Sequence, residues 1–305
     1  MAFYQKKKNV HPEILSGLDL QEKSPINEAL ASNRHLRRTV QATALVAIWM
    51  ALGWVWHLEG YGYLLIGVPL VAGFQILVRK KPLVSLWVRN AEHFRLNRRG
   101  AVLSLAFAIM PTIFMARSFA ASPRSSNFQG ILWGACCVAG AFGVGFSLSH
   151  FTRETWKSLL VCLTTAGVIG CGIMIGSALL QSHGINLTFS ILREGMGDFF
   201  LFFPVCFVLE EVAFRGAIDS HVHHAGDKHP RWSALYVSGL WGLWHLPILG
   251  ETKFLNLIVM AACLPLLHMV DGMFLSLGWR RSGNLAVPAA VHALIDAVRD
   301  TVMKG

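Results

Sequence analysis

Seven residues in the C-terminal third of the sequence have the types and spacing to carry acid–base chemistry: Glu210, Glu211, Arg215, Trp241, His245, His292 and Asp296. Glu211 and Arg215 are four apart, so on one helix they share a face and can pair, which removes much of the cost of burying either. Glu210 falls about 100° further round the same helix and is left unpaired by that arginine. One carboxylate therefore reads as structural and its neighbour as available. His292 and Asp296 repeat the four-residue spacing, so the carboxyl group can orient the imidazole or point beside it into the same cavity.

Together these groups suit hydrolysis. A carboxylate in a low-dielectric pocket takes a proton from water more readily, and a neutral histidine beside it can position that water. Donors on a facing helix would stabilise a tetrahedral oxyanion. Zn²⁺ is an alternative, with Glu210, His245 and His292 as three protein ligands and one open position. The sequence has no HExxH helix, so the reading preferred is a metal-free glutamate mechanism with no cofactor.

The elements that must position these residues follow from composition. The chain has 305 residues, 54% hydrophobic and 14% charged, too apolar for a single soluble core. Apolar runs recur at 40–56, 61–78, 101–116, 130–148, 158–180, 199–209, 232–249, 254–270 and 285–298. They are solid and not alternating, which predicts an all-α, polytopic transmembrane bundle of about eight or nine helices. An ionised side chain at mid-bilayer costs about 2.5–3.5 kcal/mol, so several in one region imply mutual pairing or a wet cavity. One helix is expected to run through Phe202–His224 and out of the membrane. A tight turn around Ala225–Arg231 then starts the next helix, and Glu210 and His245, nearly equidistant from Lys228, meet at similar depth. Pro247 breaks that helix just past His245. A loop at Gly278–Asn284 precedes the last helix, and His268 and Asp271 are expected near a helix end, facing the interface or a polar loop.

The net charge of +10 is distributed in clusters at Arg34–Arg38, Arg79–Lys81, Arg95–Arg99 and Arg280–Arg281, all flanking apolar runs. That is the positive-inside pattern and argues for a lipid bilayer as partner and against nucleic acid. It predicts a cytoplasmic N-terminus in a bacterial inner membrane. The polar first forty residues lack a signal-peptide cleavage pattern. Three zones are expected: a polar arm over 1–39, partly helical around Ile26–Arg38, preceding helices over 40–195, and a catalytic core over 196–305. Residues 116–127 read as an exposed loop. The six cysteines lie inside apolar runs and read as packing residues without disulfides. The four histidines of the His221–His229 loop read as solvated and not as a metal site.

The pattern resembles the CPBP (CAAX protease and bacteriocin-processing) family of intramembrane endopeptidases. Glu210 to Arg215 matches EExxxR, Trp241 to His245 resembles the aromatic-xxx-His element, the stretch Gly278–Leu285 resembles a third element, and His292 to Asp296 matches His-xxx-Asn/Asp. The resemblance covers about residues 198–300. It implies a glutamic-type protease in which Glu210 and His245 activate water, His292 and Asp296 form the oxyanion hole, and Glu211, Arg215 and Trp241 support them. The implied partner is a protein or peptide substrate in the membrane or anchored there by its C-terminus. Trp241 stands where Phe is more usual, and Asp296 where the CAAX-processing branch has Asn. An ionised Asp cannot donate to an oxyanion, so Asp296 must be protonated or hold His292 in place. The other class of function is a non-enzymatic membrane scaffold or immunity-type protein that retains the fold.

Overall fold

A computed structural model describes residues 25–58, 60–121, 128–181, 188–224, 229–250 and 253–304. The first 24 residues of the arm, residues 122–127 of the expected exposed loop and residues 225–228 of the histidine-rich turn lie outside them. Among the described residues the chain forms nine helical rods and no strand. They are α1 (Pro25–Val55), α2 (Gly60–Gly73, continued by a π turn Phe74–Val78), α3 (Arg98–Ala121) and α4 (Phe128–Ser149). After them come α5 (Arg153–Cys162, running through Leu163–Gly167 into Val168–Leu180), α6 (Phe189–Cys206, continued as described below), α7 (Pro230–Trp244), α8 (Phe254–Ser282) and α9 (Ala286–Lys304).

Six rods, α1 to α5 and α8, are long and apolar enough to cross a bilayer. The other three, α6, α7 and α9, carry the seven candidate residues. α7 is shorter than a full span, and all three carry polar side chains inside apolar segments, whose cost is offset by packing against the neighbouring helices. α6 is the axis of the bundle, with α2, α4, α7, α8 and α9 all against it. The apolar flank of α8, with Phe254, Leu255, Ile258, Leu266 and Leu267 exposed, faces outward as a lipid-facing surface would.

Two local features depart from the sequence reading. Residues 116–121 of the expected exposed loop are the last turns of α3. Residues 278–282 are the last turns of α8 and not a loop: Gly278 packs on Cys162, and Arg280 and Arg281 sit at the C-terminal end, where cations complement the helix dipole. The connection to α9 is a tight turn in which Gly283 takes φ +61°, a conformation favouring glycine, and caps α8 through its N–H to the Trp279 carbonyl. This turn is pinned to the 83–97 connection, because Arg89 N–H donates to Gly283 O at 2.7 Å and Leu285 N–H to Trp87 O at 2.8 Å. Asn284 then directs α9, accepting from Ala286 N–H while its amide donates to Ser147 O on α4.

Candidate active site

The first contribution comes from α6. As expected, one helix continues through both glutamates, but from Phe207 to Asp219 it is wound with the wider π spacing. The change begins three residues after Pro204, which has no N–H for the α ladder. Wide turns of this kind concentrate at functional sites because they re-aim side chains without ending the helix. Glu211 still pairs with Arg215, Nη1 to Oε1 at 3.0 Å, with both side chains 0% exposed. Arg215 also donates to Gly272 O on α8 and lies over the Trp241 ring, 4.3 Å from its centroid. Glu210 points elsewhere and keeps 13% of its side chain exposed.

α7 supplies Trp241 and His245. Trp241 Nε1–H donates to Glu210 Oε2 at 3.0 Å, so the residue read as a mere support binds the available carboxylate directly. His245 occupies the C-terminal cap of α7, which ends there as the sequence suggested, and a short 3₁₀ turn containing Pro247 follows over Leu246–Leu249. Its Nδ1 lies 2.9 Å from Trp241 O. A carbonyl only accepts, so Nδ1 carries the hydrogen and Nε2 is turned toward Glu210 Oε2 at 3.9 Å. That end of α7 is braced from behind by Tyr63 on α2, whose hydroxyl donates to Trp244 O at 2.8 Å, and by Trp49, edge-on to Trp244 at 5.1 Å.

α9 brings His292 and Asp296. His292 Nδ1–H donates to Glu211 Oε1 at 2.9 Å, while Nε2 lies 3.6 Å from Asp296 Oδ2. The oxygen of Glu211 thus ties α6 to α9 and accepts from a guanidinium and an imidazole at once. Asp296 is not an isolated carboxyl group. Its Oδ1 accepts from Arg299 Nη1 at 2.8 Å and its Oδ2 from the Cys206 thiol at 3.5 Å. Both partners escaped the sequence reading. Arg299 stands at i+3 from Asp296 and could have been found by the helix-pair rule, whereas Cys206 passed for a packing residue and nothing in its neighbourhood announced the contact.

A further residue was placed wrongly. His268 is not at a helix end but midway along α8, with its ring 4.5 Å from His245 and 4.6 Å from Trp241. Its Nδ1–H donates to Leu264 O, the same arrangement as in His245. α7 and α8 approach this closely because position 242 is glycine: a Cβ there would come within 2.6 Å of Leu264 O. Asp271 likewise lies inside α8 and half-buried.

The seven residues therefore converge, with Trp241 at the centre, edge-on to His292 at 4.9 Å. Side-chain donors of Glu210, His245 and His292 do not lie within 4.8 Å of one another as a ligand set. The trio that does, among the described residues, is Cys206, His292 and Asp296. In the histidine-rich loop, His221 bonds Gln41 and His224 bonds Arg38, so these two are engaged with α1.

Residues 193–298 match the family model described as type II CAAX prenyl endopeptidase Rce1-like, a peptide hydrolase description. The match spans the whole of α7 and α8, most of α6 and α9, and all seven candidate residues together with Cys206 and His268, but not Arg299. No curated protein and no solved structure matches the chain. The polar constellation, buried among membrane-length helices, thus lies within a segment that matches the Rce1-like type II CAAX prenyl endopeptidase model, and that match supports intramembrane protease activity in general.

Proposed function

We propose that the chain is a glutamic-type intramembrane endopeptidase that cuts a peptide bond of a membrane-associated or C-terminally anchored substrate. The observation that carries the reading is the difference between two adjacent carboxylates: Glu211 is sealed and doubly bonded, while Glu210 is held by one indole N–H on the accessible side, facing a bare imidazole nitrogen.

In the first step a water bonded to Glu210 and His245 Nε2 gives its proton to the Glu210 carboxylate. The hydroxide oxygen forms a bond to the carbonyl carbon, and the C=O π pair moves to the carbonyl oxygen. His292, as an imidazolium with Nε2–H turned toward the cavity, donates to that oxyanion. Collapse of the tetrahedral intermediate breaks the C–N bond, and the proton held by Glu210 passes to the leaving nitrogen, so the amine departs neutral. Asp296 is not a donor, because Arg299 engages its carboxylate; from 3.6 Å its charge favours the imidazolium form of His292, which Glu211 holds through Nδ1 so that Nε2–H is left for the oxyanion. His245 orients water, which its fixed tautomer suits it to do.

The test is an unbiased comparison of membrane-protein termini in cells carrying the intact chain or Glu210→Ala, with insertion of the variant confirmed. Accumulation of an uncut membrane-associated or C-terminally anchored protein is expected. An unchanged set of termini alongside a phenotype seen only in the complete deletion would refute the enzyme reading in favour of a scaffold.

A further inference from the structure

The basic residues that flank the apolar runs are not spread evenly around one end of the bundle. Those from α1 and from the connection after α2 line a single cleft of about 810 Å³. Arg37, Arg79, Lys81 and Arg89 all face it, and none of the four forms an ion pair among the described residues. The bonds that Arg79 and Arg89 do make go to neutral acceptors: Gln75 Oε1 and Gly216 O for Arg79, and the carbonyls of Trp279 and Arg280 for Arg89. These fix the direction of each guanidinium without reducing its charge.

Two acidic residues border the cleft, Asp219 and Glu92. Asp219 is already committed to Arg280, its two oxygens accepting from Nη2 at 2.6 Å and Nε at 2.9 Å. Glu92 is exposed. Burial and the charges of Arg79, Arg89 and Arg38 hold the Lys81 ammonium below its ordinary range, and burial brings Arg79 down to about 10. Asp219 also acts on Arg79 and Arg89 and offsets part of their charge, but in this partly enclosed space the cations outnumber the acidic groups, and the remaining charge is left to a bound anion.

We propose that this cleft is a binding site for a phosphate-bearing anion. Arginine forks match phosphate oxygens two at a time, and four converging cations suit a group carrying more than one negative charge. The same end of the bundle carries the basic flanks of the apolar runs, the depth at which lipid phosphates lie, so the phosphate is either that of an anionic headgroup or of a soluble compound. The site lies on the far side of Asp219 from Glu210 along α6 and uses none of the groups assigned to proteolysis.

The experiment uses the full chain in phosphatidylcholine nanodiscs. Inorganic pyrophosphate is titrated calorimetrically, and phosphatidylglycerol retained from doped nanodiscs is counted by native mass spectrometry. The double variant Arg37→Glu with Lys81→Glu, two exposed side chains, is compared with Arg98→Glu and Arg99→Glu at the start of α3, outside the cleft. Binding weaker by about tenfold or more in the first pair and unchanged in the second is expected. Retained phosphatidylglycerol that pyrophosphate does not displace identifies the headgroup as the source, and displacement identifies a soluble phosphate. Equal losses in both double variants, no loss in either, or citrate binding as tightly as pyrophosphate overturns the proposal. A matching melting midpoint in phosphatidylcholine confirms the fold, and the Gln versions of the same pairs replace any Glu variant that fails that check.

Discussion

Glu210→Gln and Glu211→Gln change neighbouring residues by the same atom, yet their surroundings require opposite outcomes. Glu211 accepts from Arg215 at 3.0 Å and from His292 at 2.9 Å, in a space with no exposure. Removing its charge leaves a guanidinium buried without a counter-charge, a loss of about 3–5 kcal/mol, because the desolvation already suffered by Arg215 is no longer offset. The corresponding fall in melting midpoint is on the order of 10 °C. Glu210 makes one hydrogen bond to Trp241, which an amide oxygen can still accept, so Glu210→Gln should change stability by about 1 kcal/mol or less. Its effect belongs to the reaction, where loss of a general base lowers the rate by about 10²–10⁴. The assay pairs a thermal melt of purified protein, read by intrinsic fluorescence, with cleavage of a substrate identified from the terminal comparison. A Glu211→Gln protein that melts with the wild type, or a Glu210→Gln protein that keeps its rate, would refute the division of roles.

Three other outcomes follow from the geometry. Tyr63→Phe removes the hydroxyl that braces the Trp244 carbonyl beside His245, and should lower kcat several-fold with KM little changed, since it touches no substrate; rates measured over a substrate series check this. Asp296→Asn should retain most activity, because Glu211 still orients His292 through Nδ1, while Arg299→Ala, which frees the carboxylate to draw His292 Nε2 away from the cavity, should cost more; comparing the two single variants with the double variant decides which partner matters. Activity should persist after exhaustive chelation with metal analysis of the treated protein; loss on chelation and recovery with Zn²⁺ would instead point to the site containing Cys206, His292 and Asp296.

Much of this protein is determined by its sequence alone. Solid apolar runs can only be helices in a bilayer, since each backbone N–H and C=O must be satisfied within its own segment, and all nine runs correspond to rods. The Glu211–Arg215 pair was legible for a similar reason: four-residue spacing is a local rule that survives even the change from α to π winding. The meeting of Glu210 with His245 was legible because a short turn places equidistant residues at one depth.

Tertiary structure decided what spacing along one chain cannot encode. That Trp241 donates to Glu210, that His292 turns its Nδ1 to Glu211 and not to Asp296, and that Cys206 and Arg299 share Asp296 all depend on how α6, α7 and α9 rotate against each other. His268 was misplaced because an apolar run does not reveal where along a 29-residue helix its neighbours cross, and the crossing is set by the absent side chain of Gly242 against a carbonyl of α8. The basic clusters were visible one by one as flanks. Only folding gathers four of those cations into a single cleft, because helix packing and not sequence separation sets the distance between them.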